Sequence, residues 1–136
     1  MKKEQLVRHE FEPVYDKNSE ILILGSFPSV KSREQGFYYG HPQNRFWKVL
    51  AAIVQEKIPD SIEEKKEMLL RNHIAVYDVI WQCKITGSSD SSIKDVVPAD
   101  ITTIVELSKI RKIYANGKLA EKLFSKYQEK LSLIHI

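Results

Sequence analysis

The stretch from Lys17 to Ser29, "KNSEILILGSFPS", decides the fold. Lys17-Asn18-Ser19-Glu20 is a turn, and Ile21 to Leu24 follow as an unbroken apolar run that ends at Gly25. A strand with one face in water alternates apolar and polar residues, whereas a strand covered on both faces has no need to. A short apolar run between turn signals therefore predicts a buried strand in a parallel sheet. Parallel neighbours cannot be joined by a tight turn, so helical crossovers should follow.

The rest of the chain supplies them. "NRFWKVLAAIVQ" sets Phe46, Val49, Leu50, Ile53 and Val54 at spacings of three and four, the pattern of a helix with one apolar face. "SIEEKKEMLL" opens with Ser61 and carries Glu64, a capping-box pattern for a second helix. "IAVYDVI", Ile74 to Ile80, reads as the second strand, and "DITTIVELS" as a helix capped by Asp100. "RKIYA" is a third strand closed by Asn116-Gly117. "KLAEKLFSKYQEK" is a helix with Leu119, Ala120, Leu123, Phe124 and Tyr127 on one face, and "LSLIHI" is a fourth strand. Strands alternating with helices predict an α/β fold, a mostly parallel sheet covered on both sides. Ligands of such sheets bind beyond the carboxyl ends of the strands. The loop after Leu24, the segment after Ile80 and Asn116-Gly117 should meet there, far apart as they are in sequence.

Composition narrows the function classes. The chain has 136 residues, enough for one domain, with 43% hydrophobic and 29% charged residues. No run approaches the roughly 20 apolar residues of a membrane span. "MKKEQLVRHEFEPVYD" has no apolar stretch after its basic start, so it is not a secretory signal. Cys83 is the only cysteine, which excludes an internal disulfide and a cysteine zinc site and makes a reducing cytoplasm the expected location. A net charge of +3 permits contact with a polyanion without requiring it. Nothing calls for an oligomer, and a monomer is expected.

The loops carry the chemistry. Gly25-Ser26-Phe27-Pro28-Ser29 lacks the endings of a P-loop or a dinucleotide fingerprint. It is either a sharp turn or a backbone cradle beside a base or phosphate, with Phe27 as a stacking plate. Phe37, Tyr38 and Tyr39 cannot all point inward, and an aromatic ring beside a pocket suits base stacking. Lys31 and Arg33 are solvated charges or phosphate contacts. In "GHPQNR", Pro42 presets the turn. Asn44 is a helix cap or an amide that orients a water towards a carbon becoming cationic. His41 is a structural hydrogen-bonding group or an acid near a leaving group. Asp78 sits in an apolar strand, where a carboxylate needs a partner. "TGSSDSSI" is a polar loop leading towards another helix, whose Ser88 and Ser89 can hold a phosphate. No Ser-His-Asp arrangement or metal-ligand cluster stands out, and no metal or organic cofactor is expected. The residues alone reach an α/β domain with a base- or nucleotide-sized site.

"ILILGSFPS" followed by "YYGHPQNRFWKVL" resembles the uracil-DNA glycosylase superfamily. "HPQNRFWKVL" is very like the matching part of the mismatch-specific uracil/thymine enzymes. Together with "VYDVIWQC", "GSSDSSI" and "YANGKLAEKLF", the set is most similar to the hypoxanthine-DNA (deoxyinosine) glycosylase branch. The likeness runs from about Ser19 to about Tyr127. It implies a three-layer α/β/α sandwich around a mostly parallel sheet. It implies hydrolysis of the N-glycosidic bond of a deaminated base in DNA, without a cofactor, by a base-flipping enzyme. It further implies a base pocket of Gly25, Ser26, Phe27, Pro28, Tyr38, Tyr39, Asp78 and Asn116, catalysis by Asn44 and His41, and DNA contacts from Ser29, Lys31, Arg33, Ser88 and Ser89.

Two departures from the superfamily stand out. Phe27 occupies the place in the first motif where other members carry Asn or a carboxylate, which moves the water-positioning role to Asn44. Asn116 is the second amide, either reading the base edge or serving as a turn residue before Gly117. At the other end, "LSLIHI" stops short of the Pro/Ser-rich DNA-contacting motif and final helix of the family, so a single domain lacking these parts is expected. The competing functions are a uracil-directed glycosylase of the mismatch-specific type and a non-catalytic DNA-binding domain.

Overall fold

The computed structural model describes residues 3–40, 44–87, 90–127 and 134–135. Its elements are β1 (Glu4–Arg8), β2 (Ile21–Gly25), α1 (Val30–Gln35), α2 (Phe46–Val54), α3 (Ile62–Arg71), β3 (Ile74–Asp78), β4 (Ile80–Thr86), β5 (Lys94–Pro98), α4 (Ile101–Glu106), β6 (Lys112–Ala115), α5 (Lys118–Tyr127) and β7 (Ile134–His135). The strands form two sheets: a four-stranded one in the order β3-β2-β6-β7, all parallel, and a three-stranded one in the order β1-β4-β5, antiparallel.

The opening stretch becomes the second strand of the parallel sheet. Leu22 and Leu24 of β2 and Ile113 of β6 lie side by side on one face, all at 0% exposure. Ile21 and Ile23 point to the other face. β3 lies on one side of β2 and β6 on the other, so the chain reverses its direction of winding at β2/β6. Because such crossovers are right-handed, the β2–β3 and β6–β7 connections fall on opposite faces and make the α/β/α sandwich. The same reversal opens a crevice at the carboxyl ends of β2 and β6.

Local signals account for the helices. Ser61 Oγ accepts from the Glu64 N–H at 3.1 Å, and Glu64 Oε2 reaches back to the Asp60 N–H at 2.7 Å, so α3 starts where its capping pattern predicts. Asp100 Oδ1 accepts from the Thr103 N–H at 3.1 Å at the start of α4. Helix α5 buries Ala120, Leu123 and Phe124, whereas Tyr127, expected on the same face, is 36% exposed. Among the described residues no helix is long and apolar enough to cross a membrane.

The structure corrects three expectations. "IAVYDVI" is not one strand: β3 ends at Asp78, where its partner β2 ends at Gly25, and after Val79 the chain enters β4 of the other sheet. The Val79 N–H bonds Gly25 O at 2.9 Å and the Ile80 N–H bonds Ser26 O at 3.1 Å, and these two bonds hold the crossing point. The segment after Thr86 passes through a single 3₁₀ turn at Asp90–Ser92 and leads to strand β5 rather than to an α-helix. The loop after Gly25 contains a short helix, α1, which Ser29 caps by accepting from the Ser32 N–H and Gly36 closes at φ +72°.

Candidate active site

A cavity of about 200 Å³ opens at the carboxyl ends of β2, β3 and β6. It is somewhat larger than the roughly 150 Å³ apolar cavity known to take benzene, so it suits one flat ring system. Gly25 to Ser29 line one side, Tyr38, Tyr39 and Asn44 another, and Asp78 and Asn116 close it from the neighbouring strands. Ile85 and Ile93, from the antiparallel sheet and its loop, complete the wall.

The turn after β2 makes this geometry possible. Gly25 is buried, and a methyl in place of its hydrogen would collide with Asp78 Oδ1 and stand 3.1 Å from the Tyr39 hydroxyl. Phe27 is partly buried with the Arg33 guanidinium 5.7 Å above its ring, so this cation sits on the stacking plate. Arg33 Nε is buried and has no hydrogen-bond partner among the described residues. Lys31 lies two residues before it in α1.

The three aromatics of the loop have separate fates. Phe37 is core and stacks on Trp47 with centroids 6.0 Å apart. Tyr38 is 2% exposed, and its hydroxyl donates to Glu12 O at 2.8 Å, so only its ring is offered to the cavity. Tyr39, held at φ +53°, stacks on Phe46 at 3.9 Å. Its hydroxyl is buried and makes no hydrogen bond of good geometry among the described residues, with the charge of Asp78 and the side chain of Asn116 acting on it. Burial and then the charge of Asp78 push the Tyr39 phenol up, against a smaller lowering by Asn116. Burial likewise raises Tyr38, followed by the charge of Asp78. Both phenols are therefore neutral donors at any physiological pH.

Asn44 combines its two sequence readings. Its Oδ1 accepts from the Phe46 N–H at 2.8 Å, a capping bond at the start of α2, and the same side chain borders the cavity. Asn116 also borders the cavity, exposed, with its backbone N–H on Leu24 O at 2.7 Å. Asp78 is 4% exposed. Its Oδ2 lies 2.7 Å from His9 Nε2, and His9 Nδ1 is 2.8 Å from Phe11 O. His9 lies in no motif, and nothing in its sequence surroundings marks it. Only the pairing of β1 with β4 delivers it here. His41, Ser88 and Ser89 lie outside the described residues.

A family model matches most of the chain. The model described as the uracil DNA glycosylase superfamily covers residues 12–135. The chain belongs to the uracil DNA glycosylase superfamily. It is 38% identical over 117 residues to a hypoxanthine DNA glycosylase of Methanosarcina acetivorans, covering 85% of this chain and 74% of that protein. It is 37% identical over 110 residues to one of Methanosarcina barkeri, covering 79% and 70%. A solution NMR structure of a candidate uracil DNA glycosylase from M. acetivorans superposes with a TM-score of 0.83 at 33% identity, over 97% of this chain and 83% of that one. This chain and that structure thus share the sandwich, and in this chain the cavity lies at its switch point.

Proposed function

We propose that this protein is a DNA glycosylase that releases hypoxanthine from deoxyinosine in DNA. The observation that carries the proposal is the meeting of Phe27, Asn44, Asp78 and Asn116 around one base-sized cavity, in a superfamily member whose relatives are named for hypoxanthine. A base inside a duplex is out of reach, so the nucleotide is flipped into the cavity. Phe27 then stacks on the base, and the ring of Tyr38 closes the other wall. The bond between C1′ and N9 breaks, its electron pair leaving with the base while the sugar gains oxocarbenium character. Water adds to C1′ and gives up a proton, leaving an abasic site.

The protein's part is positioning and electrostatics. Asn44 Oδ1 has a second lone pair beyond the one used by the Phe46 amide, and it accepts a hydrogen from the attacking water. The capping bond fixes the direction of that lone pair, so cap and water guide are one device. An amide is too weak a base to remove the proton in advance. It aims the water at a carbon that becomes electrophilic by itself. His41 is a candidate for protonating the departing base. Ser29, Lys31, Arg33, Ser88 and Ser89 are candidates for the flanking phosphates, an attraction that weakens with salt.

The test is a duplex with one deoxyinosine, treated with the protein and then with alkali. Cleavage at that position is expected, and intact strands over a wide range of protein concentration would refute the activity. Deoxyuridine in parallel decides the substrate, since faster uracil release would make hypoxanthine the minor one. Asn44→Ala should lower single-turnover release by about 10²- to 10³-fold, the usual effect of losing one transition-state contact, with DNA binding little changed. Equal losses in binding and release would leave Asn44 as a cap only.

A further inference from the structure

His9 is enclosed, its side chain at 0% exposure, and the rings of Phe11 and Tyr77 lie 4.6 and 4.9 Å from its own. Its two nitrogens face two oxygens. Phe11 O can only accept, so Nδ1 carries a proton. The 2.7 Å contact between Nε2 and Asp78 Oδ2 needs one more proton, held by either partner. In both arrangements the pair is neutral overall, which is how a carboxyl at 5% side-chain exposure is kept at the edge of the cavity without an uncompensated charge. In both, Asp78 Oδ1 is a pure acceptor. It has no hydrogen-bond partner among the described residues, and it lies against Gly25, on the cavity wall.

We propose that His9 is a positioning residue that makes Asp78 Oδ1 a charge-compensated acceptor for the ring N–H that deamination creates. The proposal rests on the glycosylase reading of the site and names what that site selects. Adenine carries a bare lone pair at N1. Hypoxanthine carries N1–H, and uracil carries the equivalent N3–H. Opposite Oδ1, the deaminated base forms a hydrogen bond, while adenine sets two lone pairs against each other. The site therefore rejects adenine, the normal base from which hypoxanthine arises, by repulsion as well as by a missing bond. Compensation by His9 also matters during the reaction, because a bare carboxylate beside a base leaving as an anion would oppose the cleavage.

The experiment compares single-turnover release from duplexes with deoxyinosine or N1-methyldeoxyinosine, in which the methyl replaces the N1 hydrogen. The wild type should prefer deoxyinosine by about 10²-fold or more, as sites built around a hydrogen-bond donor do. His9→Gln and Asp78→Ala should each slow deoxyinosine release at least tenfold and bring the preference down by a similar factor. Asp78→Asn should keep most of it, because the amide donates to His9 Nε2 and leaves Oδ1 as an acceptor. Binding to a duplex with a tetrahydrofuran abasic analogue, which presents no base, should be unchanged in all three and reports correct folding. Should a His9 variant fail that control, Asp78→Asn against Asp78→Ala decides alone. Equal slowing on both substrates, or an unchanged preference, would overturn the inference while leaving the activity standing. No release of hypoxanthine by the wild type would instead remove the substrate reading, and this one with it.

Discussion

The two sheets differ in what holds them. In the parallel sheet every residue of β3 is buried, and Leu22, Leu24 and Ile113 are sealed from water. In the antiparallel sheet, β1 has four exposed residues and one half-buried, and β5 has the same pattern. The first is held by apolar burial, the second mainly by its backbone ladder, with β1 in register against β4 from Glu4 to Arg8. The weaker sheet still has a part in the site. It carries Ile85 in the cavity wall and brings His9 to Asp78. A sheet without much core of its own can place a functional side chain if its register against a buried strand is firm.

This contrast predicts a graded set of outcomes. Leu22→Ala, in the sealed sheet, should destabilise by about 2–5 kcal/mol, the range for deleting a packed leucine, read from urea midpoints. Gly25→Ala, where the sealed sheet meets the cavity, should cost about 1–3 kcal/mol through overpacking against Asp78 and Tyr39, and should also block entry of the base. Full activity in Gly25→Ala would show that the cavity is not where the base goes. Asp100 caps α4 just after β5, and Asp100→Ala should cost about 1 kcal/mol at neutral pH. Hydrogen bonds from Thr103 hold the Asp100 carboxyl below its usual 3.8. Its stabilising contribution is therefore complete above that ordinary value and fades as the pH falls through the still lower folded one. The difference between Asp100→Ala and wild type should shrink under strongly acid conditions. Leu6→Ala in β1, at 57% exposure, should change stability by no more than about 0.5 kcal/mol. An effect there as large as that of Leu22→Ala would erase the distinction between the sheets.

The legibility of the two sheets follows the same physics. "ILIL" and "IAVY" are unbroken apolar runs because both faces are covered, and the amino-acid string records that coverage. Strands β1 and β5, "EQLVR" and "KDVVP", carry no such record, since backbone pairing is nearly independent of side chain. Strand β4 does have apolar residues, but it follows β3 after one residue, and the junction shows no turn signal at all. Helix α1 was hidden for another reason: six residues with one serine cap resemble any polar loop.

The site divides along the same line. Gly25, Phe27, Asn44, Asp78 and Asn116 could be picked out because each interrupts or ends a regular pattern with a residue that chemistry needs. The sequence by itself determined the alternation of strands and helices, because burial leaves periodic traces, and it pointed to the superfamily through the resemblance of its motifs around Gly25 and Asn44; the strand order that makes the switch point came from the structure. Only the tertiary structure decided that the Tyr38 hydroxyl is occupied by Glu12, that the Asn44 cap borders the cavity, and that His9 bonds Asp78. Those facts depend on contacts between residues as many as 69 positions apart, and a single chain read end to end holds no trace of a distance in space.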